Sequence, residues 1–341
     1  MNITFWGTPN YAVPSLDALH EAGHRLVAVV SQPDRRRGRG AQPTPSPVAA
    51  RALALGLPLI QPERIRRQPE LQQQIAGLGA EAHVVVAFGQ ILPPEVLAQP
   101  PLGCWNGHGS LLPRWRGAAP IQWSVISGDS QTGVGIMAME EGLDTGPVLL
   151  ERSVPIGLLD DADRLAQRLS GLTAELLVEA LPRIAAAGPG PLVERLQRLG
   201  VRHQGAEGMT MARLLQKDDY RIDWSQTALA IHRRVMGLYP GAFSQLNGRR
   251  LKILTSEPLV LRLADRLTDT ARGLIGSLED RQPAAAAGPG VVLQRVEGVG
   301  LVVATGGCPL LVRRAQLEGR APLEGGALLQ QLGIEAGDQL G

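Results

Sequence analysis

Short apolar runs alternate with helical repeats through the first 187 residues, and that alternation admits few folds. Residues 3–6 form an apolar run closed by Gly7-Thr8-Pro9, and Val13, Leu16 and Leu19 then recur at helical spacing over residues 13–21. Residues 26–30 are β-branched enough to form a buried strand. Residues 47–55 predict a helix, with Ser46 as N-cap and Pro47 at the first helical position. Further strands are expected at 57–60, 82–88 and 133–139, and another short one leads into Asn106. The run at 82–88 is apolar on both faces, as a central parallel strand is. A long patterned helix follows at 161–187. Strands alternating with helices predict a mostly parallel α/β sheet with right-handed crossovers.

The pattern breaks at residues 186–191, Ala-Ala-Gly-Pro-Gly-Pro, which no helix continues. A polar connector follows to about residue 207. Then come a basic helix at 227–236 and short strands at 251–255, 259–263, 273–275, 291–296, 301–304 and 310–313. With no helices between them, these predict a small antiparallel barrel. The expected organisation is a first domain over 1–188, a linker over 189–207 and a second domain over 208–341, as a chain of 341 residues favours more than one core.

Composition narrows the function classes. No window reaches the roughly 18 apolar residues of a membrane span, and the start of the chain lacks the basic and apolar regions of a secretory signal. A soluble, cytoplasmic protein is expected, with no membrane partner. Cys104 and Cys308 are too few for a disulfide framework or a zinc knuckle, so no metal is expected. Residues 1–188 hold 15 basic and 17 acidic side chains, and residues 189–341 hold 19 and 15. The positive balance of the second half points weakly to a polyanion, although an arginine excess with only Lys217 and Lys252 as lysines also follows from base composition.

The most unusual stretch runs Cys104-Trp105-Asn106-Gly107-His108-Gly109-Ser110-Leu111-Leu112-Pro113-Arg114-Trp115-Arg116-Gly117. Two residues apart in an extended segment, Asn106 and His108 leave the same face, at the end of a strand where open α/β sheets hold their ligands. An amide donor can support a developing oxyanion, and an imidazole can move a proton near neutral pH. No serine or cysteine pairs with His108 as a nucleophile, because Cys104 belongs inside the strand as a small hydrophobe. Direct transfer between two bound substrates is therefore favoured over a covalent enzyme intermediate. Asp144, in Glu141-Gly142-Leu143-Asp144-Thr145-Gly146, could orient the imidazole, or be an ordinary turn aspartate. Arg35, Arg36, Arg37 and Arg39 form a cationic loop after the second strand, suited to phosphates or to solvent. The first strand ends without a G-x-G-x-x-G, so a dinucleotide site is poorly supported.

With these residues assembled, the sequence resembles the folate-dependent formyltransferase family. The Asn106-x-His108, Ser110-Leu111-Leu112-Pro113 and Asp144 set carries the wider group. The arginine loop after Gln32-Pro33-Asp34-Arg35 and the C-terminal matches Arg221-Ile222-Asp223-Trp224, Pro240-Gly241-Ala242-Phe243 and Gln316-Leu317-Glu318-Gly319-Arg320 place it with the branch acting on methionyl-tRNA, and Phe88-Gly89-Gln90-Ile91-Leu92-Pro93 also matches the family. The resemblance implies a Rossmann-like catalytic domain followed by an OB-like β-barrel. It implies transfer of a formyl group from 10-formyltetrahydrofolate to the α-amine of initiator methionyl-tRNA, by a monomer. By motif, Asn106, His108 and Asp144 are the catalytic set. Ser110, Leu111, Leu112 and Pro113 line the folate site, flanked by Phe88, Gly89, Gln90, Ile91 and Leu92. The Arg35, Arg36, Arg37 and Arg39 loop enters the acceptor stem, and the barrel holds the tRNA body. Trp6, Gly107 and Gly109 depart from the family's usual smaller or different residues, and Leu238-Tyr239-Pro240 is a shortened version of a longer motif. The Leu112–Pro113 bond is expected to be cis. The rival readings are a formyltransferase for a sugar or nucleotide amine, a non-catalytic RNA-binding protein on the same scaffold, and a folate-hydrolysing enzyme.

Overall fold

The structure is a computed structural model that describes residues 1–36, 42–279 and 287–341. The chain divides into two compact units. The first comprises Met1–Pro120, Gln131–Val154 and Ala166–Arg213; the second comprises Ile121–Ser130, Pro155–Leu165 and Leu214–Gly341.

In chain order the elements up to residue 212 are β1 (Asn2–Gly7), α1 (Val13–Glu21), β2 (Arg25–Val30), β3 (Arg35–Arg36), β4 (Pro43–Thr44), α2 (Pro47–Ala54), β5 (Leu59–Ile60), α3 (Pro69–Ala76), β6 (Ala82–Val86), α4 (Pro94–Leu97), β7 (Cys104–His108), β8 (Arg116–Gly117), α5 (Pro120–Ser127), β9 (Gln131–Ala138), β10 (Val148–Pro155), α6 (Ala162–Ala187), α7 (Leu192–Leu199) and β11 (Met211–Ala212). Seven strands form one sheet in the order β10-β9-β7-β6-β1-β2-β5. From β7 to β5 all pairings are parallel, and β9 runs antiparallel to β7. Ile3, Phe5 and Trp6 of β1 and the whole of β6 are buried, which is why these strands read as continuous apolar runs. The Ser46 side chain accepts the Ala49 N–H at 3.0 Å, so the N-cap starts α2 at Pro47 as expected. Asp161 accepts the Arg164 N–H at 2.8 Å and starts α6 in the same way.

Residues 189–207 hold α7, and several of their side chains bind within the first unit. Arg195 donates to the carbonyls of Pro101 and Leu102 at 2.8 and 2.7 Å, and Arg202 pairs with Glu151 at 2.8 Å.

The second unit continues with α8 (Ala228–Gly237), β12 (Phe243–Leu246), β13 (Arg249–Pro258), α9 (Asp269–Glu279), β14 (Val292–Val296), β15 (Gly300–Val303), β16 (Leu310–Leu317), β17 (Leu323–Glu324) and α10 (Gly325–Leu332). Its strands run antiparallel in the order β12-β13-β16-β15-β14, with β17 on β16. The strands expected at 259–263 and 273–275 are not strands. Leu261–Arg266 is a 3-10 turn, and residues 269–279 are helix α9, started by Thr268, whose hydroxyl accepts the Ala271 N–H at 3.3 Å. Ala271 and Ile275 lie four apart on its buried face, a helical spacing that Gly273 and Gly276 obscure in the sequence. The β12–β13 hairpin is a further difference from expectation, although Asn247-Gly248 at its turn, with φ of 51° and 73°, is the usual pair for a tight hairpin.

His83 on β6 is fully buried beside Trp6, with ring centroids 5.4 Å apart. Burial, opposed by the Gln99 hydrogen bond, lowers its pKa to about 4. Below pH 6.5 the unfolded chain takes up a proton there that the folded chain refuses until about pH 4. The group's contribution is therefore intact above 6.5 and falls by about 3 kcal/mol on acidification to 4. Urea midpoints at pH 7 and 4.5 should drop further for the wild type than for His83→Gln. Equal drops would refute this origin.

Candidate active site

The parallel strands deliver their carboxyl ends to one edge, where an open α/β sheet places its site. Asn106 and His108 lie inside β7, so the extended backbone itself turns both side chains to one face. Asp144 comes from the loop after β9 and meets both. Its Oδ1 accepts from Asn106 Nδ2 at 3.4 Å, and its Oδ2 accepts the Gly117 N–H at 2.8 Å and faces His108 Nδ1 at 3.7 Å. The Asp144 carboxylate thus lies beside the imidazole while also accepting from the β8 backbone.

The His108 ring is 6 % exposed. Its Nε2 lies 2.9 Å from the Trp115 carbonyl, which can only accept. Nε2 therefore carries a proton, and the neutral ring keeps its lone pair on Nδ1, toward Asp144. Asn106 spends one amide hydrogen on Asp144 and keeps a second to give.

Ala87, Trp115 and Asp144 all have left-handed backbone, with φ of 48°, 63° and 51°. Such conformations are held by surrounding structure and gather at functional sites. Trp115 is held by its N–H to Thr210 Oγ1 at 2.9 Å, and the Asp144 loop by Gln204, whose amide donates to the carbonyls of Asp144 and Gly146 at 2.9 and 2.7 Å. Gln204 also accepts from Arg116 at 2.8 and 3.0 Å. Sequence reasoning missed Gln204, Thr210 and the Trp115 carbonyl, because no local motif marks them.

The segment expected to flank the folate leaves β6, which pairs with β7 at Val85–Asn106, so it emerges beside the site. Two donors hold the Phe88 carbonyl, Thr8 Oγ1 at 2.8 Å and Gln32 Nε2 at 3.1 Å. Gly89 has φ of 83°, and a Cβ there would stand 2.5 Å from Gln32 Nε2. Phe88 and Leu92 are buried in the core with Trp6, Gln90 is tied to the backbone of residues 62–65, and Ile91 is exposed. On the other side Ser110 donates to the Arg114 carbonyl at 2.6 Å, and Leu112 packs with Met137 and Val148. The Leu112–Pro113 bond is cis, and Tyr239–Pro240 is a second cis bond that the sequence does not suggest. Arg35 and Arg36 are exposed on the β3–β4 ladder, with Arg35 donating to Gln32 Oε1 at 2.7 Å. Arg37 and Arg39 lie outside the described residues.

Residues 1–181 match the family model described as formyl transferase, and residues 214–333 match that described as formyl transferase, C-terminal domain. The chain is 65 % identical to the methionyl-tRNA formyltransferase of Synechococcus sp. strain RCC307, over 97 % of this chain and all of that protein. It is 63 % identical to that of Synechococcus sp. strain CC9605, over 100 % and 99 %. Among solved structures, an N-formyltransferase from Helicobacter canadensis in complex with folinic acid and dTDP-3-aminofucose superposes with a TM-score of 0.60 at 16 % identity, covering 91 % of this chain and 98 % of that one. HypX from Aquifex aeolicus in complex with tetrahydrofolic acid gives 0.59 at 15 %; this chain covers 97 % of its own length there but about half, 47 %, of HypX. These two structures share the fold. Among the described residues no helix is long and apolar enough to cross a membrane.

Cys104 is buried, and that burial pushes its thiol pKa far up, so it is no nucleophile; Cys308 is exposed. A thiol reagent at pH 8 should titrate one cysteine per native chain and both after denaturation. Two fast-reacting thiols in the native protein would contradict this.

Proposed function

The chain belongs to the formyl transferase family, and on that premise we propose that it moves the formyl group of 10-formyltetrahydrofolate to the α-amine of initiator methionyl-tRNA. The observation that carries the chemistry is the convergence of Asn106, His108 and Asp144 on one face at the carboxyl edge of the parallel sheet. The relatives that share the whole chain favour the tRNA as acceptor over a sugar or nucleotide amine.

The free amine of the methionyl group attacks the formyl carbon. The second amide hydrogen of Asn106 supports the oxyanion that develops on the formyl oxygen. His108 Nδ1 takes the proton released from the amine, and Asp144 stabilises the resulting imidazolium. When the tetrahedral centre collapses, the carbon–nitrogen bond to the folate breaks and His108 returns the proton to the departing nitrogen. The proton and electron balance closes without a covalent enzyme intermediate, and holding both substrates in register supplies much of the acceleration.

The folate is read as bound between the Phe88–Leu92 segment and the Ser110–Pro113 turn. Because Phe88, Leu92 and Leu112 are buried and Ser110 is bonded internally, main-chain groups and the side chains of Ile91, Leu111 and Pro113 are the parts left to meet it. Arg35 and Arg36, exposed on their ladder, are read with Arg37 and Arg39 as tRNA contacts. The exposed Arg249 and Arg250 at the β12–β13 turn give the second unit a surface of the same charge.

Incubation with labelled 10-formyltetrahydrofolate and methionyl-tRNA should yield labelled formyl-methionine after deacylation; no label there would sink the reading. Asp144→Asn keeps an oxygen for the Gly117 N–H and tolerates the left-handed backbone, so it should fold and lose on the order of 10²-fold in kcat. Alanine at Arg35, Arg36, Arg37 and Arg39 should weaken tRNA binding and flatten its salt dependence by roughly one unit for each phosphate no longer neutralised. An unchanged slope would make the loop a solvated charge run.

A further inference from the structure

Gly107 sits between Asn106 and His108, and its neighbours on β7 point their side chains to the opposite face. A Cβ built at Gly107 would stand 2.5 Å from Thr173 Cγ2 of α6, whereas Val86 and Ile136 would lie at ordinary distances of 3.6 and 3.7 Å. The Thr173 methyl thus fills the space a side chain at 107 would take.

That methyl is not free to swing away. The Thr173 hydroxyl donates to the Leu169 carbonyl at 2.7 Å, which uses its only hydrogen. It also lies in hydrogen-bond contact with the Tyr11 hydroxyl, 2.8 Å away, which itself reaches the Leu169 carbonyl at 3.4 Å. Rotating Thr173 about χ1 to make room would break both bonds. Tyr11 is itself fixed to the same helix, since Ser170 Oγ donates to its carbonyl at 2.6 Å. Burial raises the Tyr11 hydroxyl pKa to about 12, so it stays protonated and able to donate.

We propose that Thr173, locked by Tyr11, is a positioning residue: its methyl backs β7 at Gly107 and sets where Asn106 and His108 stand relative to Asp144. The link is steric and short, because one Cα separates the packed methyl from each of the two side chains. It rests on the formyl-transfer reading and concerns how the catalytic pair is held.

A size swap across the contact tests it. Gly107→Ala adds one methyl where there is no room, and kcat for formyl transfer should fall on the order of 10- to 100-fold, as a misplacement of about 1 Å does, with both KM values within about twofold. Gly107→Ala with Thr173→Ser removes the opposing methyl and keeps the hydroxyl for Tyr11 and Leu169, and should restore most of the missing kcat. A change in packing that did not reach the catalytic pair would alter Tm without this split between kcat and KM. Should Gly107→Ala fail to fold, Thr173→Ala removes the backing from the other side without any clash, and should lower kcat about tenfold at unchanged KM. A wild-type kcat in Gly107→Ala or in Thr173→Ala overturns the proposal. So does a folded double variant that recovers nothing. Absence of transfer by the wild type would instead overturn the formyl-transfer reading and leave the packing intact.

Discussion

The carboxylate of Asp144 is the interaction on which the rest of the site depends. It receives the Gly117 N–H and the Asn106 amide and faces His108, so two separate stretches of chain, β7 and β8, are referenced to two oxygen atoms. Its own backbone is left-handed and is held there by Gln204. A carboxylate this committed has little freedom to move when substrates arrive. The ring opposite it therefore meets a charge whose position is set by folding, and preorganisation of that kind is where much electrostatic catalysis comes from.

The sheet carries the same logic on a larger scale. Thr8 follows β1, Gln32 follows β2 and Phe88 follows β6, and the hydrogen bonds among them tie three strand ends into one rim. Trp6 and Phe88 pack edge to face beneath that rim, with ring centroids 5.2 Å apart. The hydrophobic core thus ends directly under the atoms that would position a ligand. In the second unit, the buried Glu257 satisfies Thr268 and Arg313 in a comparable way, with three donors within 2.9 Å, and so anchors the start of α9 to the sheet.

Much of this is legible in the residues, and the misses have physical causes. Period locates the parallel strands and the helix at 227–236, and the Ser46 cap locates the start of α2, because local chemistry decides those. The Asn106-x-His108 spacing foretells a shared face because a strand has no other choice. Residues 273–275 read as a strand because a three-residue window cannot separate a helical stripe interrupted by glycines from an apolar run, and tertiary burial of Ala271 and Ile275 settles it. Whether Asp144 is a turn residue or a partner of His108 cannot be decided locally, since the deciding contact joins positions 36 residues apart. Gln204 is invisible for the same reason: it acts across 60 residues, from a stretch whose polarity suggests a solvated connector.

That last residue alters what counts as the catalytic part of the chain. Residues 189–207 look like a tether whose length could be varied or whose sequence could be exchanged. Yet Gln204 grips the loop that presents Asp144, and Arg195 is threaded onto the carbonyls just before β7. A fragment trimmed at the proline-glycine break would keep every residue that touches the proposed reaction and lose the strap that aims them. Anyone seeking the smallest working unit, or grafting this sheet onto another partner, would have to carry the apparent tether along.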